Sequence, residues 1–113
     1  MSYDISIIKS CTCGEHSENI YEQSYTFNVR PMYVLAFNSE LGIKILNELS
    51  PQMAMVFLCN AIDYMNQNSE ELTKLNPLNG WGNFEGARDV LINLHHECMK
   101  CKPDDKCIIR IGW

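Results

Sequence analysis

The chain of 113 residues is long enough for one globular domain, residues 1–113, because a second core could not be filled from what remains. Hydrophobic residues make up 46% of the sequence and charged residues 20%, a balance that excludes an intrinsically disordered chain. The net charge of −5 argues against a broad phosphate-binding surface, so we expect no nucleic acid polymer as a partner.

From the sequence we expect neither a membrane-spanning segment nor an export signal. No apolar run approaches the roughly 18 residues that a spanning helix needs. The start, MSYDISIIKS, also lacks the basic-then-apolar order of a signal peptide. We therefore expect a cytoplasmic protein without a membrane partner, whose six cysteines are reduced thiols.

Two segments near the N-terminus alternate between apolar and polar residues in the manner of β-strands. These are YDISII (residues 3–8) and QSYTFNV (residues 23–29), which we expect to pair as antiparallel neighbours. The polar CTCGEHSENI (residues 11–20) between them predicts a turn-like insert. Pro31 then suits the first turn of a helix that ends near residue 38.

Three further helical segments follow. Ser50 and Pro51 predict a helix start, with the serine as cap and the proline at the first position, and this helix extends to about residue 68. The segment SEELTKL (residues 69–75) predicts a short capped helical turn. Apolar residues at helical spacing from Phe84 to Cys98 predict an amphipathic helix, for which Asn83 is the N-cap.

The last segment, CIIRIGW (residues 107–113), alternates again and predicts a terminal strand. A chain that begins and ends with strands most simply forms a small antiparallel sheet with its helices on one face. The predicted fold class is therefore α+β, with the N-terminal strands and the C-terminal strand packed on three to four helices.

The segment YTFNVRPMY contains the first group of candidate binding residues. On an alternating strand Thr26 and Asn28 share one face. Arg30, at the start of the next helix, would add bidentate reach to an anion. The alternative is that Asn28 caps the helix beginning near Pro31 and that Arg30 lies in solvent.

The segment LNPLNGWGNFEGARDV contains the second group, Asn79, Trp81 and Asn83. Turn and capping chemistry explain the asparagines and the glycines Gly80 and Gly82. They do not explain Trp81, whose indole either plugs the core from the loop or stands exposed as a flat stacking surface. We expect the core plug, because large aromatic side chains are mostly buried.

The cysteines permit a zinc site. Cys11 and Cys13 form one closely spaced pair and Cys98 and Cys101 another, and two such pairs could give a tetrahedral thiolate site. The alternative is that Cys59 and Cys98 are small buried apolar residues and that the other cysteines are incidental surface thiols. We expect no other cofactor.

Catalytic patterns are sparse, and we expect no enzyme. No nucleophile elbow, phosphate-binding loop or metalloprotease motif is present. His95 and Cys98 lie three residues apart on one predicted helix, but Cys98 falls on its core side, where a thiol is unreactive.

The segments YTFNVRPMY and LNPLNGWGNFEGARDVLINL resemble an uncharacterised family of small phage, prophage and bacterial proteins. In that family an N-P-x-N-G-W-G-[DN]-[YF]-E-G-A motif precedes the last helix, and residues 20–95 here follow the pattern. Arg30 replaces the small polar residue of the family's first motif. The resemblance implies a mobile-element origin and a shared structural plan, and it implies no reaction.

The leading functional hypothesis is a non-enzymatic binding protein that sequesters a small polar or nucleotide-like ligand. Its binding residues would be Thr26, Asn28, Arg30, Asn79, Trp81 and Asn83. Two alternatives remain open: a protein–protein interaction module that inhibits a host factor through its acidic surface, and a zinc-stabilised structural domain.

Overall fold

The computed structural model describes residues 2–10 and 17–113. In chain order the strands and helices are β1 (Ser2–Ser10), β2 (Ser17–Thr26), α1 (Arg30–Ala36), α2 (Pro51–Gln67), α3 (Ser69–Thr73), α4 (Phe84–Met99) and β3 (Cys107–Gly112). Short 3-10 turns at Phe27–Val29 and Gly42–Leu46 flank α1. The predicted α+β class is confirmed.

The three strands form one antiparallel sheet in the order β2-β1-β3, with the first strand in the centre. Tyr3 of β1 lies opposite Tyr25 of β2, and Lys9 lies opposite Cys107 of β3. The register with β2 shifts between Ile7 and Ile8, where a bulge interrupts the ladder. The C-terminal strand therefore returns beside the N-terminal strand, as the terminal alternation predicts.

One face of the sheet packs on the helices and builds the core. The strand residues buried on this face alternate along the chain, as period-two geometry requires. They are Tyr3, Ile5 and Ile7 of β1 and Cys107, Ile109 and Ile111 of β3. The helices contribute Ala54, Leu58, Ala61 and Met65 from α2 and Ala87, Leu91, Leu94 and Cys98 from α4. Within the described ranges, no helix combines the length and apolar character needed to cross a membrane.

Local capping chemistry fixes where the two long helices begin. The Ser50 hydroxyl accepts a hydrogen bond from the N–H of Met53 at 3.3 Å, and Pro51 occupies the first helical position. The Asn83 side-chain oxygen accepts from the N–H of Gly86 at 2.7 Å. Each cap satisfies a backbone donor that the helix itself leaves free. Both predicted helix starts are confirmed.

The predicted limits of the second strand are wrong at both ends. Residues 17–20, assigned to the turn-like insert, belong to β2, while residues 11–16 of that insert lie outside the described residues. At its other end β2 stops at Thr26, because the threonine hydroxyl accepts from the N–H of Asn28 at 3.3 Å and bends the chain into a 3-10 turn. Asn28 therefore lies on a turn and not on a strand.

Tyr3 is the centre of an aromatic cluster beneath the sheet. Its ring centroid lies 5.1 Å from that of Phe27, 5.6 Å from Tyr33 and 5.7 Å from the C-terminal Trp113. The hydroxyl of Tyr33 donates to the carbonyl of Ala87 at 2.9 Å. In contrast, the buried hydroxyl of Tyr3 has no hydrogen-bond partner in the described part of the chain. Tyr33 thus connects α1 to α4 by a hydrogen bond, whereas no hydrogen bond offsets the desolvation of the Tyr3 hydroxyl.

Removing these two hydroxyls should have opposite effects on the free energy of unfolding. Tyr3→Phe removes an unpaired polar atom and should leave stability unchanged or raise it by up to about 1 kcal/mol. Tyr33→Phe, its matched control, breaks a buried hydrogen bond and should lower stability by about 1 kcal/mol. Urea unfolding followed by circular dichroism measures both. A larger loss for Tyr3→Phe than for Tyr33→Phe would contradict the assignment.

Alkaline pH should destabilise the native chain through Tyr3. Burial raises the pKa of the Tyr3 phenol from 10.0 to about 12, so the folded state holds this proton more tightly than the unfolded state. The resulting stabilisation is complete below pH 10 and is lost as the pH rises towards 12. Urea unfolding at pH 9, 10, 11 and 12 should therefore show the native chain losing stability relative to Tyr3→Phe above pH 10. Parallel curves would show that this phenol does not contribute.

Candidate functional site

A cleft open to solvent lies where the end of β2 meets the loop that precedes α4. It encloses about 510 Å³. Its lining residues come from the start of β1, the end of β2 with the following turn, and the loop: Ser2, Ser24, Tyr25, Thr26, Asn28, Asn79 and Trp81. Four of the six predicted binding residues therefore meet at one concave surface.

Tyr25 holds the end of β2 against the first turn of α4. Its hydroxyl accepts a hydrogen bond from the N–H of Asn83 at 3.2 Å. The phenol lies so close to Gly86 that a side chain there would collide with the Tyr25 hydroxyl. A glycine at this position is therefore what allows the sheet edge and the helix start to touch.

Gly82 brings the loop against the end of the same strand. Its φ of +96° lies in the region that favours glycine, and an added Cβ would overlap a methyl group of Thr26 and lie 3.0 Å from Val29. The backbone on either side of Gly82 can therefore approach the strand closely. As a result, the preceding residue, Trp81, is placed beside Thr26.

Asparagine side chains hold the loop in shape from within. The Asn76 side-chain oxygen accepts from the N–H of Phe84 at 2.9 Å, which closes the loop at its base. The Asn79 side-chain oxygen accepts from the N–H of Trp81 at 2.9 Å, which closes a tight turn over Gly80. Gly80 completes this turn with a φ of +77°. The loop conformation is thus set by hydrogen bonds and glycines and does not depend on the indole.

The expectation that Trp81 plugs the core is wrong. Its side chain is 69% exposed, whereas Phe84, three residues later, is 3% exposed and fills the core at the start of α4. Since the Asn79 turn and the Gly82 backbone fix the direction of the loop, only one of the two rings reaches the interior. The indole is left as a flat surface at the rim of the cleft.

The other predicted binding residues have structural positions of different kinds. The Arg30 guanidinium does not line the cleft, because its Nη2 donates to the carbonyl of Glu40 at 2.6 Å. The Asn83 side chain is engaged as the cap of α4. Asn28 is not the cap of α1, whose N-cap residue is Val29 without a side-chain bond. Asn28 is exposed, and its side-chain amide makes no hydrogen bond within residues 2–10 and 17–113.

The described lining of the cleft is polar but uncharged. Among the residues that the structure describes, its lining offers three hydroxyl-bearing residue types, two asparagine amides and one indole, and it includes no carboxylate, ammonium, guanidinium, imidazole or thiol group. Such groups orient a ligand through hydrogen bonds and stacking. They cannot neutralise a phosphate.

Two of the four proposed zinc ligands, Cys11 and Cys13, lie outside the described residues. Burial raises the pKa of the Cys98 thiol to about 12 and that of Cys101 to about 11, with nearby Cys107 adding to the second shift. Both thiols are therefore protonated at neutral pH, and a metal would have to displace those protons. Residues 2–10 and 17–113 contain no group of three or more side chains arranged to hold a metal ion.

The expectation that Cys59 is a small buried residue is wrong, because it follows the buried Leu58 by one position on α2 and is exposed. Cys98 is fully buried, as its position on the core side of the helix predicts. The His95 Nε2 instead lies 3.2 Å from the Sγ of Cys59, an exposed residue of α2. This contact depends on how α2 and α4 pack against each other. Residue spacing along a single helix does not reveal it, so the sequence offers no signal for it.

Comparison with known proteins finds no matching family model, no similar curated protein and no similar solved structure. The resemblance of the segment NPLNGWGNFEGA to a family motif therefore remains a prediction. The functional argument depends on the geometry of the cleft.

Glycine substitutions should show how closely the loop and strand approach. Gly82→Ala combines an unfavourable φ with overlap of Thr26 and should lower the free energy of unfolding by about 2–4 kcal/mol. Gly86→Ala should also destabilise, because Tyr25 must move. Gly112→Ala is the matched control, since nothing lies within 4 Å of its added Cβ and its φ is not positive. Urea denaturation that ranks Gly112→Ala with the other two would refute the close approach.

Proposed function

We propose that the protein is a non-enzymatic binding protein that holds a small polar ligand in the cleft beside Trp81. A planar ring of the ligand stacks on the indole. Hydroxyl and amide groups of Thr26, Asn28 and their neighbours bind its polar edge. Asn79 shapes the loop and presents its remaining amide hydrogens to the same space.

The exposure of Trp81 is the observation that carries this proposal. Burying a large apolar side chain stabilises a protein by about 1.5–3 kcal/mol. Because the indole of Trp81 is mostly exposed, the protein lacks most of this stabilisation. The neighbouring loop residues each have a structural role: Asn76 and Asn79 close turns, Gly82 permits a close approach, and Asn83 caps α4. Trp81 has none of these roles, which supports a role in contact with another molecule.

The polar groups around the indole favour a ligand that is both planar and hydrogen-bonding. Aromatic side chains stack on nucleobases with about 1–3 kcal/mol per base. An asparagine amide can both donate to and accept from a base edge, and the Asn28 amide is uncommitted in the described part of the chain. A nucleobase, free or as part of a nucleoside, therefore fits this surface well.

The lack of positively charged side chains in the described lining argues against phosphate as the main group that the cleft recognises. Within residues 2–10 and 17–113 no cationic side chain lines the cleft, the Arg30 guanidinium donates to a carbonyl, and the net charge of the chain is −5. A nucleotide would have to leave its phosphates in solvent. Among nucleotide-like molecules, the cleft therefore favours uncharged ones.

The same lining supports binding over catalysis. General acid and base chemistry at neutral pH uses histidine, carboxylate, lysine or cysteine side chains. No described residue of these four kinds lines the cleft. The phage or mobile-element setting is what the sequence resemblance implies. Neutralisation of a host component is an analogy with other small phage proteins.

Ligand binding can be measured on a chain whose only tryptophan is Trp81, made with Trp113→Phe. This chain is titrated with nucleobases, nucleosides, nucleotides and small sugars. Nucleobases or nucleosides should quench the indole fluorescence and raise the melting temperature of the protein. At a ligand concentration 100 times Kd, the added stability should be about 2.7 kcal/mol. Asn28→Ala should weaken binding by about 5–10-fold through the lost hydrogen bond.

Trp81→Ala, in the native background, should abolish the shift in melting temperature. The matched control is Leu78→Ala, which removes another exposed apolar side chain of the same loop that does not line the cleft. Equal loss in both variants, or tighter binding of triphosphates than of nucleosides, would contradict the proposed site. Retention of one host protein by native chain but not by Trp81→Ala, with no small molecule bound, would replace it with the protein-interaction alternative.

A further inference from the structure

The outer surfaces of α2 and α4 bring a thiol and an imidazole together. Cys59 is exposed on α2, and its Sγ lies 3.2 Å from the Nε2 of His95 on α4. Contacts on both sides fix the helix register: Gln52 donates to the Cys101 carbonyl at 3.1 Å, and Arg88 of α4 donates to the Asn66 side chain at 3.2 Å. The pair therefore sits in the middle of a defined interface and does not depend on one flexible contact.

Cys59 differs from the other cysteines in the described part of the chain. Cys98, Cys101 and Cys107 are all buried, and burial raises the pKa of the first two thiols. A cysteine reacts as a thiolate, and it must be reachable by its reaction partner. Only Cys59, among the described cysteines, combines exposure with a neighbouring base.

We propose that Cys59 and His95 form a modification site at which Cys59 exchanges with low-molecular-weight disulfides. His95 accepts the thiol proton, and the Cys59 sulfur attacks one sulfur of the disulfide. The disulfide bond of the reagent breaks and a Cys59 mixed disulfide forms. The second half of the reagent leaves as a thiolate and takes up the proton, so the disulfide itself is the oxidant.

The side chains around the pair indicate what kind of disulfide it accepts. Val56 precedes Cys59 by three residues, and Ile92 and Met99 lie three before and four after His95, which places them on the same helix sides. All three are exposed. A disulfide with apolar or aromatic groups can cover these side chains while it reacts. This chemistry is independent of the cleft beside Trp81.

The test uses 4,4′-dithiodipyridine, a neutral aromatic disulfide whose leaving group is followed by absorbance. The native chain is treated with half an equivalent at pH 7, digested, and mapped by mass spectrometry. Cys59 should carry most of the label, and Cys59→Ser should lose the fastest reacting equivalent. Preferential labelling of any other cysteine, including Cys11 or Cys13, would overturn the proposal.

His95→Gln tests the role of the imidazole, and His96→Gln is its matched control on the adjacent exposed residue. At pH 7 His95→Gln should slow the labelling of Cys59 by about tenfold, while His96→Gln reacts at the native rate. At pH 9.5 hydroxide in the solvent competes with the imidazole for the proton of an exposed thiol, so all three chains should react within about twofold of each other. Equal rates at pH 7, or a defect that persists at pH 9.5, would show that His95 does not accept the proton.

Discussion

The close contact between Tyr25 and the first turn of α4 is the constraint on which the candidate site depends. The phenol spans the gap between the sheet edge and the helix, accepts the N–H of Asn83, and occupies the space that a side chain at position 86 would need. Gly82 makes a second close approach beside it. Without both glycines the loop would stand off from β2, and the cleft would have only one wall.

Much of the fold can be predicted from the sequence because its signals act over a few residues. Ser50 and Pro51 start α2, and Asn83 starts α4, through bonds to backbone groups at most three positions away. The alternation of residues 107–113 specifies which of them face the core. Once the helices and strands are known, covering one apolar sheet face leaves few arrangements.

The site is predicted less well, because competition between distant parts of the chain decides it. The alternating pattern continues through residues 27 and 28, but the Thr26 hydroxyl ends the strand earlier. The tendency of indoles to be buried is overruled at Trp81, since Phe84 occupies the interior position. Cys59 and His95 are 36 positions apart in sequence, and their contact arises from how α2 and α4 pack against each other, which no local motif encodes.

The helix α4 links the two proposed sites, and its construction indicates that they act independently. Its first turn holds the cleft loop through Asn83 and Gly86, while His95 lies three turns later on the outer surface. Between them Ala87, Val90, Leu91 and Leu94 are buried in the core. Coupling of the two sites through this helix would require the helix to have two alternative arrangements. Buried residues at every turn hold the helix in a single arrangement. Occupation of the cleft should therefore leave the chemistry of Cys59 unchanged.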